Sequence, residues 1–259
     1  MPRLELFDSH AHLDCEEFDQ DRQELLAHLQ GELAGIINPG CDRTSSLQAL
    51  ELANKYDFIY AAVGWHPEAV ASMVEADLVQ LAAWATEPKV VAIGEIGLDY
   101  YYDDGAPKVL QQQRFLEQIE VARHSGLPII IHDREAHGDM LEIFRHEGKG
   151  VQGVFHCYSG SVEMAKELVK LGFYLGFGGS STFKNAVKVR EVLQYVPADR
   201  ILFETDSPYL TPVPLRGKRN NPAYTELVAQ QAAILRGLEF TEMLQISTQN
   251  VKNLFLKIK

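Results

Sequence analysis

Short apolar runs that end in polar residues alternate along this chain with longer segments of helical period, and this alternation constrains the fold more than any other feature. The runs are Leu4–Phe7, Gly35–Asn38, Ile59–Val63, Val90–Ile93, Leu127–Ile131, Gly153–Phe155, Phe173–Phe177 and Ile201–Phe203. Repeated βα units around a parallel sheet produce this pattern. The sequence therefore predicts an α/β protein with eight strands.

Segments with apolar residues at helical spacing lie between these runs. The predicted helices are Glu16–Leu33, Ser45–Tyr56, Val109–His124, Ala136–His146, Val162–Leu171 and Asn185–Tyr195, and after the last strand Ala223–Arg236 and Thr241–Leu256. Proline and glycine mark the junctions, and the sequence contains neither a low-complexity segment nor a long linker. Because 259 residues fall within the usual size of one β/α barrel, we expect a single domain over residues 1–259.

The positions of polar residues distinguish a closed barrel from an open doubly wound sheet, which gives similar apolar runs. Six side chains of metal-ligating type fall at the carboxyl ends of predicted strands, namely His10, His12, Glu95, His132, His156 and Asp206. In a closed barrel these ends converge on one mouth, whereas an open sheet spreads them along a line. The predicted fold is therefore a (β/α)8 TIM-like barrel.

Taken singly, these residues are weak indicators of a metal site. His10 and His12 lie two apart, so on a strand both project to the same side within about 7 Å of each other. An isolated pair of this kind is nevertheless more often hydrogen-bonded at a strand end, and Glu95 alone is equally consistent with a solvated loop. Together, four histidines and two carboxylates at the same end of successive strands have no common structural role. Metal binding is a role that all six residues can share.

Composition narrows the class of protein. The formal net charge of −12 argues against a broad basic face for duplex nucleic acid but leaves room for a local basic groove. No stretch approaches the roughly 20 apolar residues that span a bilayer, and the start of the chain lacks the apolar core of a signal peptide. Cys15, Cys41 and Cys157 show no CxxC spacing, which fits a reducing compartment and inert packing better than a catalytic thiol. We therefore expect a cytoplasmic protein.

Several motifs carry a family resemblance: DSHAHLD, GWHP, IGEIGLDYY, LPIIIHDREA, GVFHCYSG, ETDSP and RGKRN, in this order. Over almost its whole length the chain resembles the TatD family of metal-dependent deoxyribonucleases and related hydrolases, within the amidohydrolase superfamily. The resemblance implies a binuclear site in a TIM-like barrel, with the six residues above as ligands and Glu95 as the bridge. It also implies that His66, of GWHP, lies beside the metals and meets substrate. Asn221, where many members have Glu, and Tyr158, where Phe is common, depart from the pattern and concern the substrate.

The ligand set indicates the chemistry but does not fix the ions. Imidazole and carboxylate ligands suit zinc, manganese, iron or nickel, and magnesium less comfortably. Two such ions about 4 Å apart lower the pKa of a bridging water toward ~7 and so generate a hydroxide nucleophile. Asp206 is expected to orient that water and pass its proton to the leaving group. Glu204 either orients a metal ligand without binding the metal itself, or forms a structural ion pair with an Arg or Lys.

Basic and aromatic residues after the strands are predicted to meet the substrate. The cations assigned to an anionic substrate are Arg134, Arg216, Lys218 and Arg219, whereas a solvated position is preferred for Lys184. Tyr100, Tyr101 and Tyr102 follow Glu95 closely and can stack on a nucleobase. Packing under a neighbouring loop is preferred for at least two of these three tyrosines.

Three functions are weighed. The first is a DNase that hydrolyses phosphodiesters at a 3′ end, using a hydroxide activated by two divalent metals (zinc, manganese or magnesium), with DNA as single strands or 3′ ends as its partner. The second is a hydrolase of a small phosphoester, lactone or amide, because related barrels host many reactions. The third is a non-catalytic metal-binding protein, which an open ligand set disfavours because structural sites tend to be closed. Neither a membrane nor an obligate protein partner is expected.

Overall fold

The computed structural model describes residues 6–259, in which eight parallel strands form one sheet in sequence order. The strands are β1 Phe7–Asp8, β2 Gly35–Pro39, β3 Ile59–Val63, β4 Val90–Asp99, β5 Ile129–Arg134, β6 Gly153–Phe155, β7 Tyr174–Phe177 and β8 Ile201–Phe203. The helices are α1 Arg22–Glu32, α2 Arg43–Lys55, α3 Glu75–Trp84, α4 Lys108–Ser125, α5 His137–Arg145, α6 Val162–Lys170, α7 Val187–Tyr195, α8 Thr225–Arg236 and α9 Phe240–Leu254. Within the described range, no helix has the length and apolarity that crossing a membrane requires.

The first and last strands meet just beyond their ends, which closes the barrel. The amide of His12 donates to the carbonyl oxygen of Ser207 at 2.8 Å, and the amide of Asp206 donates to the carbonyl oxygen of His10 at 2.9 Å. Ala11 and Ser207 form a parallel bridge between the same two segments. The predicted TIM-like barrel is confirmed, and its closure brings the first and last of the predicted ligands side by side.

One layer of apolar side chains, with a member from every strand, fills the barrel. Its members are Phe7, Ile37, Ala62, Ala92, Ile130, Val154, Tyr174 and Leu202. Phe255 and Ile258, near the C-terminus, pack against the same layer. Because alternate residues of a strand face the same side, the next inward positions on β5, β6 and β8 belong to His132, His156 and Glu204. The packing of the interior therefore aims these three side chains at one end of the barrel.

A larger apolar cluster joins the outer face of the strands to the helices, and α6 illustrates how its helices form. The Ser161 side chain accepts a hydrogen bond from the Met164 amide at 3.2 Å, which satisfies a free donor at the helix start. Met164, Ala165 and Leu168 are buried and lie on one helical face. Complete burial of a side chain as large as Leu168 contributes about 1.5–3 kcal/mol.

Helix α3 has no counterpart among the predicted helices. It buries Leu81 and Trp84 against the barrel, but Val74 and Val79 are exposed and blur the amphipathic pattern. The helix begins where the Asp77 carboxylate accepts the Val74 amide at 2.9 Å. An acidic residue three positions after the helix start is the local signal that indicates this element.

Strand β4 continues to Asp99, whereas the sequence predicts its end at Ile93. Its later residues pair with β5, so that Gly97 lies opposite His132. Gly97 has a φ of 153°, and a Cβ at this position would lie 1.9 Å from the His132 carbonyl oxygen, so the close approach of the two strands requires glycine. Glu95 consequently lies within β4, at the irregularity between the pairs that Ile93 and Ile96 form with β5, and not in a loop.

Two predicted boundaries near the start of the chain differ from the structure. Residues 4 and 5 of the predicted run Leu4–Phe7 lie outside the described residues, and β1 ends at Asp8. The predicted helix Glu16–Leu33 is divided into a short 3-10 turn, Glu16–Phe18, and α1. The guanidinium of Arg22 donates to the Leu13 carbonyl oxygen at 2.7 Å, which holds this divided segment against the preceding loop.

A buried carboxylate fastens β1 to the segment after β8. Asp8 is fully buried, and its Oδ2 accepts the hydroxyl of Thr205 at 2.6 Å. Its Oδ1 accepts the backbone amides of Thr205 at 3.0 Å and of His10 at 3.2 Å. Burial raises the pKa of Asp8 well above its ordinary value, and since a buried polar group is costly unless it is hydrogen-bonded, this group of bonds stabilises the closure of the barrel.

We expect the substitution Thr205→Val to lower the free energy of unfolding by about 1–3 kcal/mol, because it leaves one oxygen of Asp8 without its hydroxyl donor and the buried Ser207 amide without its acceptor. Urea-induced unfolding of the metal-free protein, followed by circular dichroism, measures this change. Thr86→Val is the matched control, because the Thr86 hydroxyl only donates to Ala83 in an exposed turn. Equal losses in the two variants would contradict a special role for the Asp8 bonds.

Candidate metal centre

The six predicted ligands converge at the mouth of the barrel, beneath a cavity of about 1030 Å³. His10, His12, Glu95 and His156 are buried, and His132 and Asp206 are half-buried. They come from β4, β5 and the segments that follow β1, β6 and β8. The clustering expected from their positions at the carboxyl ends of strands is therefore present in the structure.

One oxygen of Glu95 faces the first two histidines. Its Oε2 lies 3.2 Å from Nε2 of His10 and 3.6 Å from Nε2 of His12. Oδ1 of Asp206 lies 3.8 Å and 3.5 Å from the same two nitrogens. The two nitrogens are 3.1 Å apart. Four donor atoms thus surround one point.

The other oxygen of Glu95 faces a second set of nitrogens. Its Oε1 lies 2.9 Å from Nδ1 of His132, 3.2 Å from Nε2 of His156 and 3.7 Å from Nε2 of His66. A single carboxylate therefore turns each oxygen toward a different group of imidazoles. This is the arrangement that a ligand shared by two cations requires.

The spacing of these atoms fits a divalent cation. Ligands about 2.1 Å from a tetrahedral ion lie about 3.4 Å from one another. The separations of 3.1–3.8 Å among the atoms of His10, His12, Glu95 and Asp206 are close to this value. A hydrogen bond between the facing nitrogens of His10 and His12 satisfies only one lone pair, whereas a cation accepts both. Imidazole and carboxylate donors in this mixture suit zinc and manganese.

Asp99 belongs to the site but is absent from the predicted residues. Nε2 of His132 lies 3.0 Å from Oδ2 of Asp99, so that Nδ1 remains directed at Glu95. A carboxylate on the second nitrogen of a ligating histidine fixes its tautomer and ring orientation. The available signal is the spacing of Glu95 and Asp99, because residues four apart on one strand share a face.

Glu204 lies below the mouth, next to His156. Its Oε1 accepts the backbone amide of Cys157 and lies 3.4 Å from Nδ1 of His156. A Cβ at Gly176 would lie 2.5 Å from Glu204 Oε2, so the carboxylate fits only because this residue is glycine. In the part of the chain that the structure describes, the ion-pair partner of Glu204 is His156 and not the Arg or Lys of the structural alternative.

His66 presents a donor to the cavity. The backbone amide of Glu68 donates to its Nδ1 at 3.3 Å, and a nitrogen that accepts carries no proton, so the proton of the neutral ring is on Nε2. Burial and the neighbouring charge of His132 lower the pKa of His66 to about 3. The ring is therefore neutral at physiological pH, with Nε2–H directed toward Glu95 and the cavity.

The two central carboxylates remain ionised in spite of their burial. Burial raises the pKa of Glu95, but the charges of His156 and His10 outweigh it and hold the pKa well below its ordinary value. Burial likewise raises the pKa of Asp206, but the hydrogen bond from His12 and the nearby imidazoles lower it overall. A negative centre thus persists where the ligand nitrogens converge.

Asp206 borders the cavity in a strained backbone conformation. Its φ is 57°, in the left-handed region, which costs about 1–3 kcal/mol that neighbouring contacts must offset. The backbone bonds to His10 and Tyr209 supply those contacts. The side chain of Asp206 is 14% exposed and that of Glu204 is 1% exposed, so Asp206 is the carboxylate of this pair that a water in the cavity can reach.

Only one of the four cations assigned to substrate lines the cavity among the described residues, namely Arg134. Arg219 makes two hydrogen bonds to the Asp21 carboxylate, at 2.7 and 2.6 Å, and is held away from the cavity. The guanidinium of Arg216 lies 3.8 Å from the centroid of the Phe183 ring, on which it stacks. Lys218 and Lys184 are exposed and do not line the described cavity.

The run of three tyrosines is less packed than expected. The hydroxyl of Tyr100 donates to Asp139 at 2.9 Å, but Tyr101 and Tyr102 are 55% and 47% exposed. The preference for packing at two of the three positions is therefore wrong. Arg134 explains the difference, because its guanidinium lies 3.7 Å from the centroid of Tyr101 and supports the ring at the rim.

The three cysteines all border this cavity, which the sequence does not predict. Burial raises the pKa of Cys15 to about 11 and that of Cys157 to about 12, so both remain neutral thiols. Cys41 lies 4.0 Å from Nδ1 of His12, and burial raises its pKa as well. Neutral thiols are weak nucleophiles, in agreement with the preference for inert packing.

In the metal-free protein, we expect Asp99→Asn to lower the pKa of His132. Burial alone lowers this pKa from its ordinary 6.5, but hydrogen bonds to Asp99 and Glu95 raise it to about 9, so the loss of one carboxylate moves the value down. Titration of the histidine ring signals by NMR measures the change. Asp139→Asn, which contacts Tyr100 instead, is the control. An unchanged pKa would show that Glu95 alone holds the proton.

Comparison with known proteins gives concordant matches over nearly the whole chain. A family model described as TatD related DNase matches residues 7–256. YabD of Bacillus subtilis, an uncharacterized metal-dependent hydrolase, is 48% identical over 252 residues, which cover 96% of this chain and 98% of the relative.

Two further matches extend the comparison to a nuclease and to a crystal structure. The 3′-5′ ssDNA/RNA exonuclease TatD of Cronobacter sakazakii is 32% identical over 261 residues, which cover 97% of this chain and 98% of the relative. The crystal structure of the TatD homologue YJJV from Escherichia coli superposes with a TM-score of 0.90 at 32% identity, and covers 97% of this chain and 98% of that one.

Proposed function

The chain belongs to the TatD family of metal-dependent hydrolases, and from this premise we propose that it hydrolyses phosphodiester bonds at the 3′ ends of DNA. The observation that carries the proposal is the position of Glu95, whose two oxygens face two separate sets of imidazole nitrogens. A binuclear centre of this kind suits in-line displacement at phosphorus. The name of the Cronobacter relative supports a nucleic acid as the substrate.

Two groups of residues would hold the cations. His10, His12 and Asp206, with Oε2 of Glu95, would hold one divalent ion. His132 and His156, with Oε1 of Glu95, would hold a second. Zinc, manganese and magnesium are the candidates. When bound, such a pair lowers the pKa of a water molecule and neutralises charge on a phosphodiester oxygen.

Asp206 is proposed to manage the proton of the reaction. Hydrolysis forms a bond between the oxygen of water and phosphorus and breaks the bond between phosphorus and the leaving sugar oxygen. The Asp206 carboxylate accepts a proton from the attacking water and returns it to the leaving oxygen. Its lowered pKa and its position at the cavity support this role, because the base is ionised and within reach of solvent.

His66 is proposed to stabilise the charge that develops on the substrate. Its Nε2–H is a preorganised neutral donor at the cavity wall, suited to a non-bridging phosphoryl oxygen. Asp99 and Glu204 act through other residues. They fix the rings of His132 and His156 through the nitrogens that do not face Glu95.

We expect the protein to bind two divalent ions per chain and the substitution Glu95→Gln to reduce this to one or none, because an amide offers one oxygen and no charge to share. Elemental analysis and calorimetric titration after reloading with zinc or manganese measure the stoichiometry. Glu68→Gln removes a carboxylate from the rim of the same cavity and should leave it at two. Wild-type protein that never exceeds one ion in saturating metal would overturn the shared-ligand assignment.

We expect metal-loaded protein to shorten a single-stranded DNA from its 3′ end, and Asp206→Asn to lower kcat by about 100-fold or more with little change in KM. An amide keeps the shape of the side chain but cannot accept the proton of water. A strand labelled at its 5′ end should give a ladder of shorter products. Metal content and circular dichroism of the variant serve as controls, and near-normal kcat with full metal content would assign the proton to another group.

A further inference from the structure

The cavity above the metal centre is acidic. Its lining includes the carboxylates of Asp42, Glu68, Asp99 and Asp133 in addition to Glu95 and Asp206. Among the described residues that line it, Arg134 is the one side chain with a permanent positive charge. Apart from the two carboxylates that would hold the cations, a nucleic acid in this cavity would meet four carboxylates and one fixed cation, so the approach of further phosphates is unfavourable.

Arg134 is held so that it can bind an anion next to the catalytic centre. It ends β5, two residues after His132, and therefore projects to the same side of the strand. Its guanidinium is stacked on Tyr101, and Nη1 donates to the hydroxyl of Tyr102 at 3.4 Å. A guanidinium has five N–H donors in a planar fork, so donors remain for a phosphate after this one bond.

The rim of this cavity suits a single nucleotide. Tyr102, Tyr209 and Leu210 line the cavity and are 47%, 48% and 37% exposed. Exposed aromatic faces bind bases without strong sequence preference. The cavity volume of about 1030 Å³ lies at the upper end of the range of about 300–1,000 Å³ that holds a small ligand.

We propose that this site recognises only the end of a strand: the scissile phosphodiester and one neighbouring phosphate, the latter paired with Arg134. The substrate class is then short oligonucleotide ends rather than long tracts of backbone. The inference rests on the proposed phosphodiesterase function and adds a limit to it. We place the limit at the second phosphate because Arg134 alone among the described lining residues carries a permanent positive charge, and the Arg216 guanidinium, although it stacks on the lining residue Phe183, does not itself line the cavity.

The test measures kcat/KM of the metal-loaded protein on oligothymidylates of two, three, five, ten and twenty nucleotides. The dinucleotide has only the scissile phosphate, and the trinucleotide adds the neighbour. We expect kcat/KM to rise about 10–100-fold from two to three nucleotides, the size of one charged hydrogen-bonded contact, and to be flat beyond three. The logarithmic salt slope for the twentymer should lie between about −0.7 and −1.5, since each phosphate contributes about −0.7.

Arg134→Gln identifies the residue responsible. This variant should bring the ratio of kcat/KM between the trinucleotide and the dinucleotide close to one, which removes the step between two and three nucleotides. Lys188→Gln makes the same change of charge at an exposed position of α7 outside the lining and should keep the step. Because this ratio is measured within one variant, a general loss of folding or of metal cancels from it, and a ratio that stays at the wild-type value would overturn the assignment to Arg134.

Two other outcomes separate this inference from the proposed function. A steady rise of kcat/KM through ten and twenty nucleotides, with a salt slope steeper than about −3, corresponds to four or more phosphates and would overturn the inference while leaving the phosphodiesterase intact. Failure to hydrolyse any oligonucleotide, with hydrolysis of bis(p-nitrophenyl) phosphate preserved, would overturn both the DNA function and the limit placed on it.

Discussion

The carboxylate of Glu95 is the constraint on which the site depends. Four histidines point their nitrogens at its two oxygens, and without a negative group between them these buried imidazoles would only repel one another when protonated. The backbone around Glu95 serves this placement. Strand β4 extends past its predicted end, and Gly97 allows close approach to the carbonyl group of His132. The fold thus fixes the central ligand by strand pairing, not by a flexible loop.

The sequence predicts the barrel and its ligands because both follow from local patterns. An apolar run followed by His or Asp identifies a strand and the side chain at its end without knowledge of the neighbours. Asp99 escapes this reasoning, because its role follows from the pairing of β4 with β5, which extends the strand beyond Ile93. Helix α3 escapes it for another reason, since exposed Val74 and Val79 weaken the amphipathic pattern. A single sequence therefore does not predict elements that depend on long-range strand pairing, or helices whose apolar residues are partly exposed.

The basic segment RGKRN shows that the contacts of charged side chains are equally hard to predict from a single sequence. Three cations in four residues suggest a phosphate-binding loop, but Arg219 is captured by Asp21, which lies 198 positions away in the chain. Arg216 is stacked on Phe183. A cluster of charge in the sequence says nothing about which carboxylates the fold brings to meet it. Arg134, in contrast, lines the cavity, because it lies on the same strand as His132 and shares its direction.

The metal ligands and the residues of the cavity rim lie on different parts of the fold. This difference explains why membership of the family predicts the metal ligands but not the substrate. The ligands sit in strands or directly after them, where the packed barrel interior fixes their direction, so a shared fold carries the metal chemistry with it. Tyr102 and Tyr209 sit on loops, whose length and sequence the barrel does not constrain. Substrate choice is therefore set by the part of the mouth that the fold determines least. Among the described residues that line the cavity, Arg134 alone carries a permanent positive charge. Its position beside the metal centre favours binding of the end of a nucleic-acid strand over binding of a long stretch of backbone.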